Sequence, residues 1–215
     1  MRETRFSAIR RRSGQTHKDV PMRILAVFAH PSAKCFNRSV LDTLLDVAKA
    51  KAHETSVLDL YAEKFDPVLS EKDFEMFNRG KTPPDIQAMQ QQVADANVVA
   101  FIHPLWWFGM PAILKGWIDR VFSYGFAYGH DSHGVKPLLA GKKAIVINTA
   151  GGSEGESYTT TGFRDAIIKL NDQGIYRFVG FDILLRTIFF EIPAASDEQR
   201  RELLSQLRDD LVRAL

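Results

Sequence analysis

Short apolar runs alternate along the chain with longer segments whose apolar residues recur at helical spacing. The apolar runs are rich in β-branched and aromatic residues and are bounded by Pro, Gly or charged positions, a pattern that predicts buried strands. They lie at residues 23–29, 55–60, 97–103 and 142–149, and within 178–190. We therefore expect five strands, and we expect the first and the third to be fully buried.

The intervening segments predict helices. Asn37 is a plausible N-cap for a helix over 37–50, and Pro111 fits the first turn of a helix that follows Gly109. Ser196 and Gln199 form a capping-box pattern that opens the last helix. Further helices are expected at 71–78, 85–96 and 161–171, whereas residues 123–141 are expected to be a loop.

Strands that alternate with helices predict an α/β fold with right-handed crossovers. The parallel sheet is then covered by helices on both faces. Five strands suit a doubly wound sheet in the order 2-1-3-4-5. With 215 residues, the chain is long enough for one well-buried domain, which we place at residues 22–215.

The charge is concentrated at the amino terminus. The whole chain has a net charge of +2, but residues 1–21 contain six basic and two acidic side chains. We expect this extension to be disordered. Its composition suits either a targeting peptide or an extension without function upstream of Met22. The remaining chain is close to neutral, which argues against nucleic-acid binding.

Three further classes are disfavoured by the sequence. A single cysteine excludes an internal disulfide and any multi-cysteine metal site, so the cytoplasm is the expected compartment. The apolar stretch over 98–114 is broken by His103, Pro104, Gly109 and Pro111, whereas a membrane span needs about 20 apolar residues. The histidines lack the spacing of metal ligands, so we expect no metal.

Chemistry is expected where parallel strands end, because ligands of doubly wound sheets lie beyond the carboxyl ends of the strands. Residues 30–37 follow the first strand and lead into a helix N-terminus, which suits a phosphate. Residues 149–158 form a glycine-rich turn in which a ligand can approach the backbone.

Three consecutive aromatic residues, Trp106, Trp107 and Phe108, follow the third strand. They could belong to the core. A short loop between Pro104 and Gly109 is poorly suited to bury all three, so we favour a flat platform for a planar ligand.

With these loops defined, the chain resembles the NAD(P)H:quinone oxidoreductase (DT-diaphorase) family from about residue 23 to the last helix. The densest match is HPLWWFGMPAILKGWIDRV at 103–121, followed by matches at 126–128, 148–153 and 180–181. The resemblance implies a flavodoxin-like, flavin-binding domain and a homodimer with active sites at the subunit interface.

The resemblance also implies site residues by position. The expected flavin contacts are His30, Phe36, Asn37, Pro104, Leu105, Trp106, Trp107, Phe108, Thr149, Gly151 and Gly152. Tyr158 matches the family's active-site tyrosine, and Tyr128 and His130 match its substrate pocket. Arg164 stands where mammalian members have histidine; we hypothesise that it stabilises negative charge at N1/O2 of the reduced flavin. A solvated Arg164 is the alternative.

The implied activity is a two-electron, ping-pong hydride transfer from NAD(P)H through flavin N5 to a quinone or similar acceptor. The pair Phe36-Asn37 resembles that of FAD-binding members, so FAD is favoured, with FMN as the alternative. A second hypothesis follows from some bacterial relatives: an ancillary regulatory subunit of a potassium-efflux system. A flavodoxin-type electron carrier is disfavoured, since such carriers are strongly acidic.

Overall fold

The computed structural model describes residues 20–215, so the expected disorder of residues 1–21 lies outside the described residues except at its last two positions. Five parallel strands form one sheet in the order β2-β1-β3-β6-β7. In chain order among the five, this is 2-1-3-4-5, and the expected topology is confirmed. The strands are β1 Arg23–Phe28, β2 Glu54–Asp59, β3 Val98–Pro104, β6 Lys143–Thr149 and β7 Asp182–Phe189.

Helices cover both faces of the sheet, as expected. They are α1 Phe36–Ala50, α2 Glu71–Asn78, α3 Pro84–Asp95, α4 Ala112–Val121, α5 Phe163–Ile168 and α6 Asp197–Ala214. Alternate residues of β1 point to opposite faces. Ile24 and Phe28 pack in the cluster that contains Leu41 of α1 and Leu207 of α6. Leu25 and Val27 belong instead to the cluster that covers the opposite face with α3 and α4.

Two local expectations are wrong. Residues 123–141 are not only loop, because Tyr128–Asp131 (β4) and Gly134–Pro137 (β5) pair as an antiparallel hairpin. The turn between them is polar and the flanking residues are mostly exposed, so hydrophobic periodicity gives little signal there. Helix α1 begins at Phe36 with Cys35 as its N-cap, so Asn37 lies inside the first turn and its side chain is free for another role.

The helix expected at 161–171 is confirmed only in part. The regular α-helix covers Phe163–Ile168, and wider π-helical turns cover Lys169–Arg177 after it and Glu154–Thr159 before it. A π-helical turn inserts an extra residue per turn and is found mostly at functional sites. This irregular segment follows β6, at the carboxyl edge of the sheet.

One buried ion pair ties the α2 region to α4. The Arg120 side chain is 8% exposed; its Nη2 lies 3.0 Å from Asp73 Oδ1 and its Nε lies 3.2 Å from Asp73 Oδ2. A further nitrogen, Nη1, donates to the carbonyl oxygen of Asp66 at 2.8 Å. Removal of one partner of such a pair is strongly destabilising, because the charge of the other partner is left buried and unpaired. Among residues 20–215, no helix combines the length and apolar character needed to cross a bilayer.

Candidate functional site

The loops after β1, β3 and β6 meet around one cleft of about 1050 Å³ at the carboxyl edge of the sheet. Nine of the expected flavin contacts line it: His30, Phe36, Asn37, Pro104, Leu105, Trp106, Trp107, Thr149 and Gly151. The strand order reverses between β1 and β3, and this is the point at which ligands bind in such sheets.

A hydrogen bond between the first turn of α1 and the end of β6 forms part of the cleft wall. Asn37 Nδ2 donates to Thr149 Oγ1 at 2.8 Å, and both residues are buried. The other side-chain atom, Asn37 Oδ1, is buried without a hydrogen-bond partner among residues 20–215. Since a buried acceptor is costly to leave unpaired, the arrangement calls for a donor from a bound ligand.

The N-terminus of α1 also faces the cleft. No side chain caps it, and its first turn contains no acidic residue. Unpaired backbone N–H groups and the helix dipole at such an end favour an anion. Burial raises the pKa of the Cys35 thiol at this position, so the group stays protonated and unreactive at neutral pH.

Trp106 and Gly109 close a tight turn by hydrogen bonds in both directions, at 2.9 and 3.0 Å. The two residues between them have positive φ angles, 52° for Trp107 and 60° for Phe108. This conformation is strained for bulky side chains, and such strain clusters at functional sites. Trp107 is 97% exposed, and Trp106 and Phe108 are also partly exposed, so this loop does not bury its three aromatics in the core.

The remaining expected residues lie outside the lining of this cleft. Phe108 turns away from it and packs against Tyr158, with ring centroids 5.2 Å apart, and against Phe163, at 4.2 Å. Tyr158 is 4% exposed, and burial raises the pKa of its phenol. Gly152 makes room for this packing, because a Cβ there would lie 2.9 Å from the Ser157 side chain.

Tyr128, His130 and Arg164 are near the surface. Tyr128 and His130 sit on β4, each with its ring centroid 5.8 Å from that of Tyr124. The Arg164 side chain is 44% exposed, and its Nε lies 3.5 Å from Glu154 Oε1. Within one chain, none of the three reaches the cleft.

Sequence reasoning missed the wall that α6 and the preceding segment contribute. Arg200, Arg201 and Leu204 line the cleft together with Ile192 and Pro193. Arg200 Nη2 donates to the carbonyl oxygen of Ile192 at 3.1 Å, and its buried Nε has no partner among residues 20–215. The charged residues of α6 are typical of a solvated outer face, and only the packing of α6 beside α1 brings three of them, Asp197, Arg200 and Arg201, to the cleft.

A buried polar chain runs behind the cleft across three neighbouring strands. His103 Nδ1 lies 2.9 Å from the carbonyl oxygen of Pro104, and His103 Nε2 lies 2.9 Å from Asn148 Nδ2. Asn148 Oδ1 accepts a hydrogen bond from Arg186 Nη1 at 2.5 Å. Arg186 Nε is in turn 3.6 Å from Asp172 Oδ1. No cluster of His, Cys, Asp or Glu within residues 20–215 is arranged to hold a metal ion.

Comparison with known proteins gives concordant matches. A family model described as flavodoxin-like fold matches residues 22–212. NAD(P)H dehydrogenase [quinone] 1 of Cavia porcellus is 33% identical, over 85% of this chain and 74% of its own length. Ribosyldihydronicotinamide dehydrogenase [quinone] of Homo sapiens is 35% identical, over 85% of this chain and 87% of its own length. The structure of NAD(P)H:quinone oxidoreductase from Methanothermobacter marburgensis superposes with a TM-score of 0.80 at 29% identity, covering 90% of this chain and 96% of that one.

Stability should depend on the buried imidazole of His103. Burial lowers the pKa of His103 to about 4, against about 6.5 in an unfolded chain. Between these two pH values the imidazole of His103 is protonated in the unfolded state and neutral in the folded state. The free energy of unfolding should therefore fall by about 3 kcal/mol as the pH drops from about 6.5 to 4, and this contribution should be flat above 6.5.

Urea unfolding at a series of pH values measures this dependence. In His103→Gln the contribution from this site should disappear, so the variant should lose less stability than the unmodified protein over the same range. Parallel pH profiles for the two proteins would contradict the expected linkage.

Proposed function

The chain belongs to the flavodoxin-like fold family, and we propose that it is a flavin-dependent NAD(P)H:quinone oxidoreductase. The supporting observation is the convergence at one cleft of an uncapped helix N-terminus, an unpaired buried acceptor on Asn37 and the strained turn of Trp106 and Trp107. The relatives compared are named dehydrogenases and oxidoreductases, and they lend no support to the regulatory-subunit alternative.

The residues present fit a flavin nucleotide. Asn37 Oδ1 would accept from a hydroxyl group, and the N-terminus of α1 would bind a phosphate. Basic residues outnumber acidic ones in the cleft lining: Lys34, Arg38, Arg200 and Arg201 against Asp42 and Asp197. The turn at Trp106 and Trp107 presents aromatic surface to a planar ring system.

We propose FAD as the bound form. The cleft continues past the N-terminus of α1, along that helix to Asp42 and along α6 to Leu204. This extension lies beyond what one phosphate at the helix end needs, and it suits an adenylate. Asp42 and Asp197 are each paired with an arginine, at 3.0 Å to Arg38 and 3.2 Å to Arg200, which reduces their repulsion of an anion.

When bound, the flavin would supply the redox chemistry, accepting hydride from the reduced nicotinamide and passing two electrons to the quinone. The chain's own residues bind and orient. Tyr158, which packs against Phe108 beside the platform turn, is proposed as a hydrogen-bond donor to the substrate, and burial raises the pKa of its phenol further above neutral pH. Both substrates would use the one cleft in turn, which requires ping-pong kinetics.

A homodimer would complete the site. Trp107 is 97% exposed, which leaves a large apolar ring beside the cleft without cover. Tyr124, Phe163 and Phe178 are also exposed large hydrophobics on the described surface, and burial of such aromatics is typical of interfaces. Tyr128 and His130, too far from the cleft of their own chain, would then reach that of the partner. The free thiol of Cys35 suits the cytoplasm as compartment.

Sedimentation velocity of the flavin-loaded protein at micromolar concentration should give twice the chain mass of 24.3 kDa. Trp107→Ser should shift the protein toward monomer, because an exposed apolar anchor of the interface is lost. Val212→Ser, which removes an exposed apolar side chain from α6, is the comparison variant. A monomer with full quinone reductase activity would rule out a site shared between subunits.

Arg164 lies outside the lining of its own chain's cleft, so it is proposed to offset at longer range the negative charge that reduction places on the cofactor. Its side chain is half exposed and paired with Glu154, so the effect on rate is moderate. Arg164→Leu should slow reduction by NADH about tenfold in stopped-flow absorbance, whereas Arg164→Lys should retain most of the rate. An unchanged rate in Arg164→Leu would assign the side chain to its surface ion pair alone.

The function is tested most directly by absorbance. The purified protein, reconstituted with FAD, should show a bound-flavin band at about 450 nm. Anaerobic NADH or NADPH should bleach this band, and a quinone should restore it. Parallel reconstitution with FMN, and mass spectrometry of the flavin released from the native preparation, tests the choice of FAD.

Two results would contradict the proposal. A protein that remains colourless with both flavins would exclude a flavoenzyme. A bound flavin that is reduced by neither NADH nor NADPH would exclude the proposed hydride donor, and dihydronicotinamide riboside would then be the donor to compare.

A further inference from the structure

The peptide unit between Pro104 and Leu105 is held at both of its polar ends. Its carbonyl oxygen lies 2.9 Å from His103 Nδ1, and its N–H donates to the carbonyl oxygen of Thr149 at 2.7 Å. Pro104 and Leu105 line the cleft, and the strained turn of Trp106 and Trp107 follows immediately. The direction of this peptide therefore sets where the aromatic platform begins.

The buried polar chain behind it determines which nitrogen of His103 carries the proton. A guanidinium only donates hydrogen bonds, so Arg186 Nη1 at 2.5 Å requires the oxygen of the Asn148 amide to face it. The amide nitrogen then faces His103 Nε2 at 2.9 Å, and since it also only donates, Nε2 must accept. A neutral imidazole that accepts at Nε2 has its proton on Nδ1, where it donates to the carbonyl oxygen of Pro104.

The opposite arrangement is disfavoured at every link. A flipped Asn148 amide would bring two donor groups together at Arg186, and His103 Nδ1 without a proton would oppose the carbonyl oxygen of Pro104. Asn148 is fully buried and His103 is 1% exposed, so water cannot relieve either conflict. Asp172, with its Oδ1 3.6 Å from Nε of Arg186, keeps the guanidinium in place.

We propose that Arg186 is a positioning residue of the redox site: through the amide of Asn148 it fixes the tautomer of His103, which holds the Pro104–Leu105 peptide in the direction that the platform turn requires. The redox role of this site rests on the proposed function, whereas the tautomer of His103 is inferred from the hydrogen bonds alone. Strained residues such as Trp107 and Phe108 keep their conformation only where the surrounding structure over-determines it. The clamped peptide supplies that support.

Removal of the Arg186 guanidinium should weaken the hydrogen bonds that run from Asn148 through His103 to the carbonyl oxygen of Pro104. In Arg186→Met, the Asn148 oxygen loses its donor, and only the hydrogen bond from Asn148 Nδ2 to the backbone carbonyl oxygen of His103, at 3.3 Å, still opposes a flip of the amide. A fraction of His103 should then populate the form with its proton on Nε2. The Pro104 carbonyl then loses its hydrogen bond. We expect the dissociation constant of the flavin to rise about tenfold, the equivalent of one hydrogen bond. Arg186→Lys keeps a donor for the Asn148 oxygen and should restore both properties.

The tautomer is measured without flavin by long-range proton–nitrogen correlation spectra of the apoprotein labelled with ¹⁵N-histidine, with His103→Gln used to assign the signal. Near pH 7 the unmodified protein should show a neutral ring protonated at Nδ1. Arg120→Met is the matched control, because it removes another buried, carboxylate-paired arginine that lies away from the cleft lining. It should lower stability yet leave the tautomer and the flavin dissociation constant unchanged.

A proton on Nε2 in the unmodified protein, or an unchanged tautomer in Arg186→Met, would overturn the inference. A changed tautomer with an unchanged flavin dissociation constant would also overturn it, because the peptide would then not depend on His103. Flavin binding with the wrong tautomer would contradict this inference alone, whereas a correct tautomer in a protein that binds no flavin would contradict the proposed function.

Discussion

The parallel pairing of β1 with β3 and of β3 with β6 is the constraint on which the rest of this structure depends. It brings the carboxyl ends of three strands to one edge, and it sends the chain after β1 and after β3 to opposite faces of the sheet. The loops diverge there and leave a crevice. Asn37 in the first turn of α1 and Thr149 at the end of β6 then meet at 2.8 Å, although 112 residues separate them in the chain.

Hydrogen bonds between polar side chains of adjacent strands stabilise this edge of the sheet. Arg186, Asn148 and His103 belong to three adjacent strands, and each has donors and acceptors that the next must match. Asn148 and His103 are buried, so their hydrogen bonds to each other and to Arg186, whose side chain is 12% exposed, tolerate few alternative arrangements. The two residues at positive φ, Trp107 and Phe108, depend on such rigid surroundings.

The fold was largely predictable because its signal is local. Each of the five strands is a short apolar run between turn residues, and helices such as α6 show both a capping box and apolar periodicity. The hairpin of β4 and β5 was missed because its residues are mostly exposed and carry no such period. The N-cap of α1 was misplaced by two residues because capping by Asn37 and its bond to Thr149 compete, and only the packed structure decides between them.

The amino-acid sequence by itself determined the sheet order and the three loops that form the cleft, because these follow from periodicity and from the rule that loops at strand ends gather at one edge. The resemblance of those loops to a known family supplied nine of the lining residues. The tertiary structure alone decided that Arg200 and Arg201 face the cleft, that Phe108 turns toward Tyr158 and Phe163, and that Arg164 pairs with Glu154. It also decided that His103, Asn148 and Arg186 form one chain. These contacts join residues far apart in sequence, and their partners are chosen by packing and by the matching of buried donors with acceptors, which no local pattern records.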